Sequence, residues 1–255
     1  DDPTAILSGT ERPTRSFTIE LSDGNNQQAG GDAGGPDPLS ATVGGTITIT
    51  PTNDKPVITP ADKPNYDDND PVDKDNYPVD ENLNAGGYAF VTENEIGEDD
   101  HKFEGTINFT DVDTTADDLK VSLTTPTWDN PVDALKSGGL DVIWELSEDG
   151  KTLTGYAAEK DAEGNLVMED GKPKKADPVI EIKVTGPVAN SEDDNNDPIL
   201  GEYETGYAVT LLGPIDHPGV NDKDLLGFAV PIIVTDSKNS DIPLSVESVI
   251  NITVE

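Results

Sequence analysis

The sequence predicts an all-β fold, an antiparallel β-sandwich, on three observations. Apolar and polar residues alternate in one short run after another, few stretches carry the i, i+3, i+4, i+7 spacing of a buried helix face, and Gly, Pro and Asx residues punctuate nearly every boundary. Taken in order, the alternating runs are Phe17/Ile19/Leu21, Ile47/Ile49, Ile107/Phe109, Val121/Leu123, Val142/Trp144/Leu146, Ile180/Ile182/Val184, Tyr207/Val209/Leu211, Phe228/Val230/Ile232/Val234 and Ile250/Ile252/Val254. A period of two turns one set of side chains to a core and leaves Thr, Glu, Lys and Asn on the wet face. Ser147-Glu148-Asp149-Gly150 separates two such runs as a tight hairpin would. Many short strands joined by turns and loops make a sandwich.

Composition then narrows the chemistry. Acidic residues number 52 against 16 basic ones, for a net charge of -36. So acidic and hydrophilic a composition resembles that of disordered chains, and it is the periodicity that argues for a folded one. Nucleic acid and anionic membranes are excluded as partners, because gripping phosphates requires Lys and Arg to displace counterions. With no cysteine there is no disulfide, no thiolate zinc site and no cysteine nucleophile, so any ion that staples this chain is held by oxygen, and calcium suits oxygen ligands best. No apolar run is long enough to span a bilayer as a helix, and no signal peptide opens the sequence. Without an initiator Met the chain reads as an excerpt of a longer polypeptide.

A weak internal repeat suggests two domains. Phe17-Thr-Ile-Glu-Leu-Ser-Asp23 followed by Gly45-Thr-Ile-Thr-Ile-Thr50 has the shape of Phe228 to Asp236 followed by Val249 to Val254, each reading as the closing strand pair of a domain. Between the first pair and the remainder lies Asn53-Asp54-Lys55-Pro56, a Pro-flanked joint with two oxygen-bearing side chains. Residues 1–55 are therefore expected to form the terminal strands of one domain, truncated or split, and residues 56–255 a complete β-sandwich module.

Two stretches resemble known families. Ser22-Asp23-Gly24 and then Thr46 to Pro56 look like the end of the cadherin-like and VCBS repeats of bacterial surface proteins, where an Asn-Asp-x-Pro joint follows the last strand. From about residue 80 to 255 the chain resembles the calcium-associated repeat domain of type I secretion targets in repeats-in-toxin (RTX) adhesins. The matching features are Leu135-Lys-Ser-Gly-Gly139 before a Trp144 strand, Gly150-Lys-Thr-Leu-Thr-Gly155, Tyr207 to Pro218 with its Leu-Leu-x-Pro-Ile-Asp-His-Pro stretch, and Phe228 to Asp236. The resemblance implies a cadherin-like or immunoglobulin-like sandwich, secreted to the bacterial cell surface by a type I system and rigidified by calcium, in a long chain that joins cells to each other or to surfaces, as in biofilms. After Asp236 the family commonly continues with an acidic, Gly-containing turn, whereas this chain has Ser237-Lys238-Asn239-Ser240.

Candidate ligands follow from where carboxylates gather. Asp111-Val-Asp113 ends a strand, where alternate residues can aim two carboxylates at one ion, and calcium wants six to eight oxygens in all. Glu93 and Glu95 are expected to contribute, as are Asn53 and Asp54 at the joint and Asp236 at the end of its strand. Two acidic loops, one with Asp68 and Asp70 and one with Asp193 and Asp194, offer further calcium or ligand contacts, although neither has EF-hand spacing and the nonapeptide β-roll repeat is absent. Residues 57–79, 157–178 and 187–205 are expected as long acidic loops, and such loops on a rigid sandwich are where binding resides.

No catalytic activity is expected. Asp216-His217 is the one pairing that suggests acid-base chemistry, but no Gly-x-Ser-x-Gly elbow or His-Glu-x-x-His helix accompanies it, and His217 is read as a loop-packing residue. Trp144 is expected in the core, Trp128 as a weak platform for a sugar, and Lys172, Lys174 and Lys175 as a solvated hairpin. Asn108-Phe-Thr110 and Asn251-Ile-Thr253 match the glycosylation sequon and are incidental in a bacterial protein. The expected role is a monomeric adhesin module that binds a peptide, or less favourably a glycan, through calcium-containing loops beside its tandem neighbours. The competing role is a calcium-stiffened extender with no ligand of its own.

Overall fold

The computed structural model of the chain describes residues 14–22, 40–48, 53–62, 85–93, 96, 101–128, 134–190, 201–217, 225–238 and 243–255. The chain divides into two compact units, Asp1–Thr52 and Asn53–Glu255. In the first, β1 (Thr14–Ser22) and β2 (Ser40–Thr48) pair antiparallel over their whole length, from Thr14 opposite Thr48 to Ser22 opposite Ser40.

The second unit is a sandwich of two sheets. Its strands are β3 (Val57–Ile58), β4 (Gly87–Val91), β5 (Lys102–Thr110), β6 (Leu119–Leu123), β7 (Lys136–Ser137), β8 (Leu140–Asp141), β9 (Ile143–Leu146), β10 (Thr152–Ala158), β11 (Met168–Glu169), β12 (Lys172–Pro173), β13 (Lys175–Val184), β14 (Val188–Ala189), β15 (Glu202–Leu211), β16 (Leu226–Asp236) and β17 (Leu244–Val254). One sheet runs β3-β5-β15-β13-β10-β9, with β14 also on β15, and the other runs β4-β17-β16-β6. Among the described residues every ladder is antiparallel except the one between β4 and β17. The all-β sandwich read from the sequence is the fold of this unit.

Period-two alternation decides which side chains meet between the sheets. Ile107, Phe109, Ile180, Ile182, Tyr207, Val209 and Leu211 come from the first sheet and Val121, Leu123, Phe228, Val230, Ile232, Val234, Ile250, Ile252 and Val254 from the second, all in one buried cluster. The exception is β9, an edge strand, where Trp144 is half-buried against Phe228 and Leu146 is exposed. Trp128 is likewise half-buried against the core, a position that gives no support to a sugar platform. The Ser147 to Gly150 hairpin forms between β9 and β10, with Asp149 accepting from the Ser147 hydroxyl at 2.6 Å and the Lys151 N–H at 3.0 Å.

The sheets are also tied by hydrogen bonds. Tyr207 on β15 crosses the core, donates its hydroxyl to the Tyr88 carbonyl of β4 at 2.6 Å and accepts from the Tyr88 N–H at 3.0 Å. Burial pushes its pKa up to about 12, so the donor is retained at any ordinary pH.

Residues 157–178 correct an expectation. Instead of a long acidic loop they continue the hairpin: Glu159 bonds to Lys174, and Val167 and Lys174 bond back in turn, leading to the β11–β12 pair. The turn between those two strands is Asp170-Gly171, with φ of 51° and 77°, the left-handed pair that a tight primed hairpin turn requires. Lys174 pairs with Glu159 at 2.7 Å and Lys175 with Glu145 at 2.6 Å, so the basic cluster lies on a solvated hairpin.

Candidate metal centre

Alternation along β5 and β16 delivers two carboxylates to one end of the core. Ile107 and Phe109 point inward, and the next residue in that series is Asp111; Val230, Ile232 and Val234 point inward, and the next is Asp236. Both aspartates therefore occupy what would be the next core position, and they are 2% and 0% exposed. Asp113, two residues past Asp111, joins them half-buried, and one carboxylate oxygen from each of the three lies within 4.8 Å of the others. This group of three can hold a metal ion.

The surroundings hold the carboxylates in place without neutralising them. Asp236 Oδ1 accepts from the Lys238 N–H at 2.7 Å and from the Thr114 hydroxyl at 3.3 Å, and Asp111 Oδ1 accepts from the Asp113 N–H at 3.3 Å. The other oxygen of Asp111 and of Asp236 is buried and has no hydrogen-bond partner among the described residues. Buried carboxylates repel one another and lack water, which disfavours their charged form. Burial first, then the side-chain hydrogen bond with Asp113 and the charges of Asp236 and Asp113, push the pKa of Asp111 up to about 7, against the opposing pull of the Asp113 N–H. A cation between them removes that penalty.

This has a consequence for pH. In the metal-free protein the unfolded chain loses the Asp111 proton near pH 4 while the fold keeps it to about 7, so stability falls as pH rises through that window. The full penalty, present above about pH 7, is at most about 4 kcal/mol for a shift of roughly three units. Metal-stripped protein will melt higher at pH 5 than at pH 8. Relief of general charge repulsion at low pH acts the same way, so the Asp111→Asn variant, in which the difference should shrink, isolates this group.

Of the other residues named from the sequence, Asp54 reaches the cluster by its backbone, its N–H lying 3.4 Å from Asp113 Oδ1, while the side-chain nitrogen of its neighbour Asn53 is buried without a partner among the described residues. Glu93 does not join the three. At the end of β4 its carboxylate accepts from the Ile215 N–H and lies 3.7 Å from His217 Nε2, so it braces the loop after β15. Glu95, Asp68, Asp70, Asp193 and Asp194 lie outside the described residues.

The stretch Lys136 to Gly139 and the loop Pro214 to Asp216 meet in space. Asp216 accepts from the N–H groups of Gly138 at 2.8 Å and of Gly139, while its own N–H goes to the Lys136 carbonyl and the Ser137 hydroxyl to the Pro214 carbonyl. Gly138 and Gly139 have φ of 60° and 83°, a conformation that side chains resist. The Asp216 carboxylate thus anchors this turn.

Sequence reasoning missed Thr114 and Tyr203. The Tyr203 hydroxyl donates to the Thr114 carbonyl, its ring stacks on Phe109, and the Gly201 carbonyl beside it accepts from the Asp111 N–H at 3.1 Å. The signal was available: the inward series Tyr207, Val209, Leu211, extended back two steps, reaches Thr205 and Tyr203. Compared with protein-family models, curated proteins and solved structures, the chain matches none.

Proposed function

We propose that this chain is a calcium-binding module of a large extracellular bacterial adhesin, and that its ion serves as a structural lock in an extender. The observation that carries this reading is the enclosure of Asp111, Asp113 and Asp236 at the end of the core. Three carboxylates with no Cys or His among them make a hard, all-oxygen donor set, which suits calcium over zinc. An ion held by two fully buried carboxylates presents little to a partner. Asp54, beside the cluster, belongs to the segment by which the chain enters the sandwich, so a bound ion stiffens that entry.

Placement at a bacterial surface, secretion by a type I system, tandem neighbours of the same chain and the absence of catalysis rest on the resemblance to RTX adhesins and belong to this proposal. A peptide or glycan taken through the acidic loops would rest on Asp68, Asp70, Asp193 and Asp194, outside the described residues, and the enclosed cluster supports the extender role instead.

Calorimetric titration with calcium tests the site. The Asp111→Asn, Asp113→Asn double variant keeps oxygen donors but removes two charges, and its affinity should fall about tenfold or more while the strands still form at high calcium. A double variant that matches the parent in site number and affinity removes these residues from the calcium site.

A further inference from the structure

The outer face of the first sheet carries a trough. Gly206 and Ala208 of β15 form its floor, Glu104 and Thr106 of β5 one wall, and Lys183 and Thr185, at the end of β13, the other, around a depression of about 500 Å³. The inward series that holds Ile107, Ile182 and Val209 occupies the alternate positions of the same strands. Because β5 and β13 flank β15, the walls stand two strand spacings, about 10 Å, apart.

Register sets the walls in rows. Lys102 and Glu181 flank Thr210, Glu104 and Lys183 flank Ala208, and Thr106 and Thr185 flank Gly206, successive rows being about 7 Å apart. Each wall pairs its own charges along its length, Lys102 with Glu104 and Lys183 with Glu181 at 2.6 Å, and all four side chains remain open to solvent. Across the trough the signs oppose each other in both charged rows and reverse from one row to the next.

That order is complementary to itself in one orientation. A half-turn about an axis that runs along β15, above the floor, brings a second copy face to face with the first, each wall on the opposite wall of the other copy and the rows in step. Lys102 of one copy then meets Glu181 of the other, Glu104 meets Lys183, and Thr106 meets Thr185, each contact occurring twice. A half-turn about an axis across the strands instead sets Glu104 against Glu104 and Lys183 against Lys183, which like charges oppose.

We propose that this face pairs the chain with a second copy of itself, the strands of the two running in the same direction. The contact is isologous, so it closes at two copies. Glu204, the next outward residue of β15, would face itself across the axis and bounds the contact at that end. Three rows on three strands cover about 20 Å by 15 Å, less than the roughly 800 Å² per partner of a standard interface, so single modules pair weakly, and the two floors face each other across a wet channel. The pairing depends neither on the ion nor on the extender reading. In an extender it would draw parallel neighbouring chains together, and weak contacts repeated along tandem modules reinforce one another.

The test is sedimentation equilibrium of the full chain in calcium, at up to about 1 mM protein and about 0.15 M salt, which screens the net charge of -36. The parent should reach a dimer. Glu104→Lys and Lys183→Glu each bring like charges together at two contacts and should weaken association about tenfold or more. An equimolar mixture of the two variants should recover it, because every introduced charge then faces an opposite one, although both variants remain strongly acidic. The double variant Glu104→Lys, Lys183→Glu should self-associate as the parent does, and melting temperatures close to the parent's show that each variant folds. A parent that stays monomeric at the highest concentration overturns the proposal and leaves the trough to another occupant, such as an extended peptide. So does a dimer that both single variants preserve, or a mixture that fails to re-form it.

Discussion

Chelation will lower the melting temperature of this protein by about 10 °C. An ion bound only by the folded state, at a free concentration a thousandfold above its dissociation constant, contributes about 4 kcal/mol. For a domain of this size each kcal/mol moves the midpoint by roughly 2–4 °C. The cause is local and general at once: the ion offsets the mutual repulsion of Asp111, Asp113 and Asp236, and it lowers a net charge of -36 that works against every compact state. Calorimetric scans in millimolar calcium and in excess chelator measure the difference. Superimposable scans would mean that the carboxylates are held without an ion.

The second large effect lies in the core. A Cβ on Gly105 would lie within 3 Å of three atoms of the Tyr207 side chain, two of the ring and the hydroxyl, and one on Gly87 would meet the same atoms at 2.8 to 2.9 Å. The ring cannot swing away cheaply, because its hydroxyl holds both the N–H and the C=O of Tyr88. Gly105→Ala should therefore destabilise the sandwich by about 2–3 kcal/mol, the upper part of the range for overpacking a filled core. Tyr207→Leu removes the obstructing ring, and in that background Gly105→Ala should cost less than about 1 kcal/mol, a coupling that a double-mutant cycle by urea unfolding resolves. Additive effects would show that Gly105 is intolerant for a reason other than the ring.

Much of this was legible in the sequence, and the reason is the two-residue period. Each run from Ile107 to Val254 that alternates in the sequence lies on a strand, save Val142 just before β9, and the same arithmetic carries Asp111 and Asp236 into the core series. What sequence does not display is pairing. Nothing local says that positions 111 and 236, on different sheets, end at the same place, or that Asp54 returns to Asp113. The resemblance to cadherin-like modules, which place a Glu near their first strand, points to Glu93 as a calcium donor, but its carboxylate accepts from the Ile215 N–H, a partner 122 residues away. Charge alone makes residues 157–178 look like an acidic loop, but Asp170-Gly171 is a hairpin signal that outweighs composition, since only the turn residues restrict the backbone. Thr114 acts through a carbonyl, a group with no pattern of its own, whereas Tyr203 belongs to the inward series of β15.

Calcium at Asp111, Asp113 and Asp236 is open to direct observation. The direct measurement is a crystal structure of the protein grown in calcium, with the anomalous signal used to locate the metal. It should place an ion about 2.3–2.6 Å from oxygens of Asp111, Asp113 and Asp236, with further oxygens completing six to eight. Calcium found elsewhere while these three carboxylates remain without a metal would contradict the account.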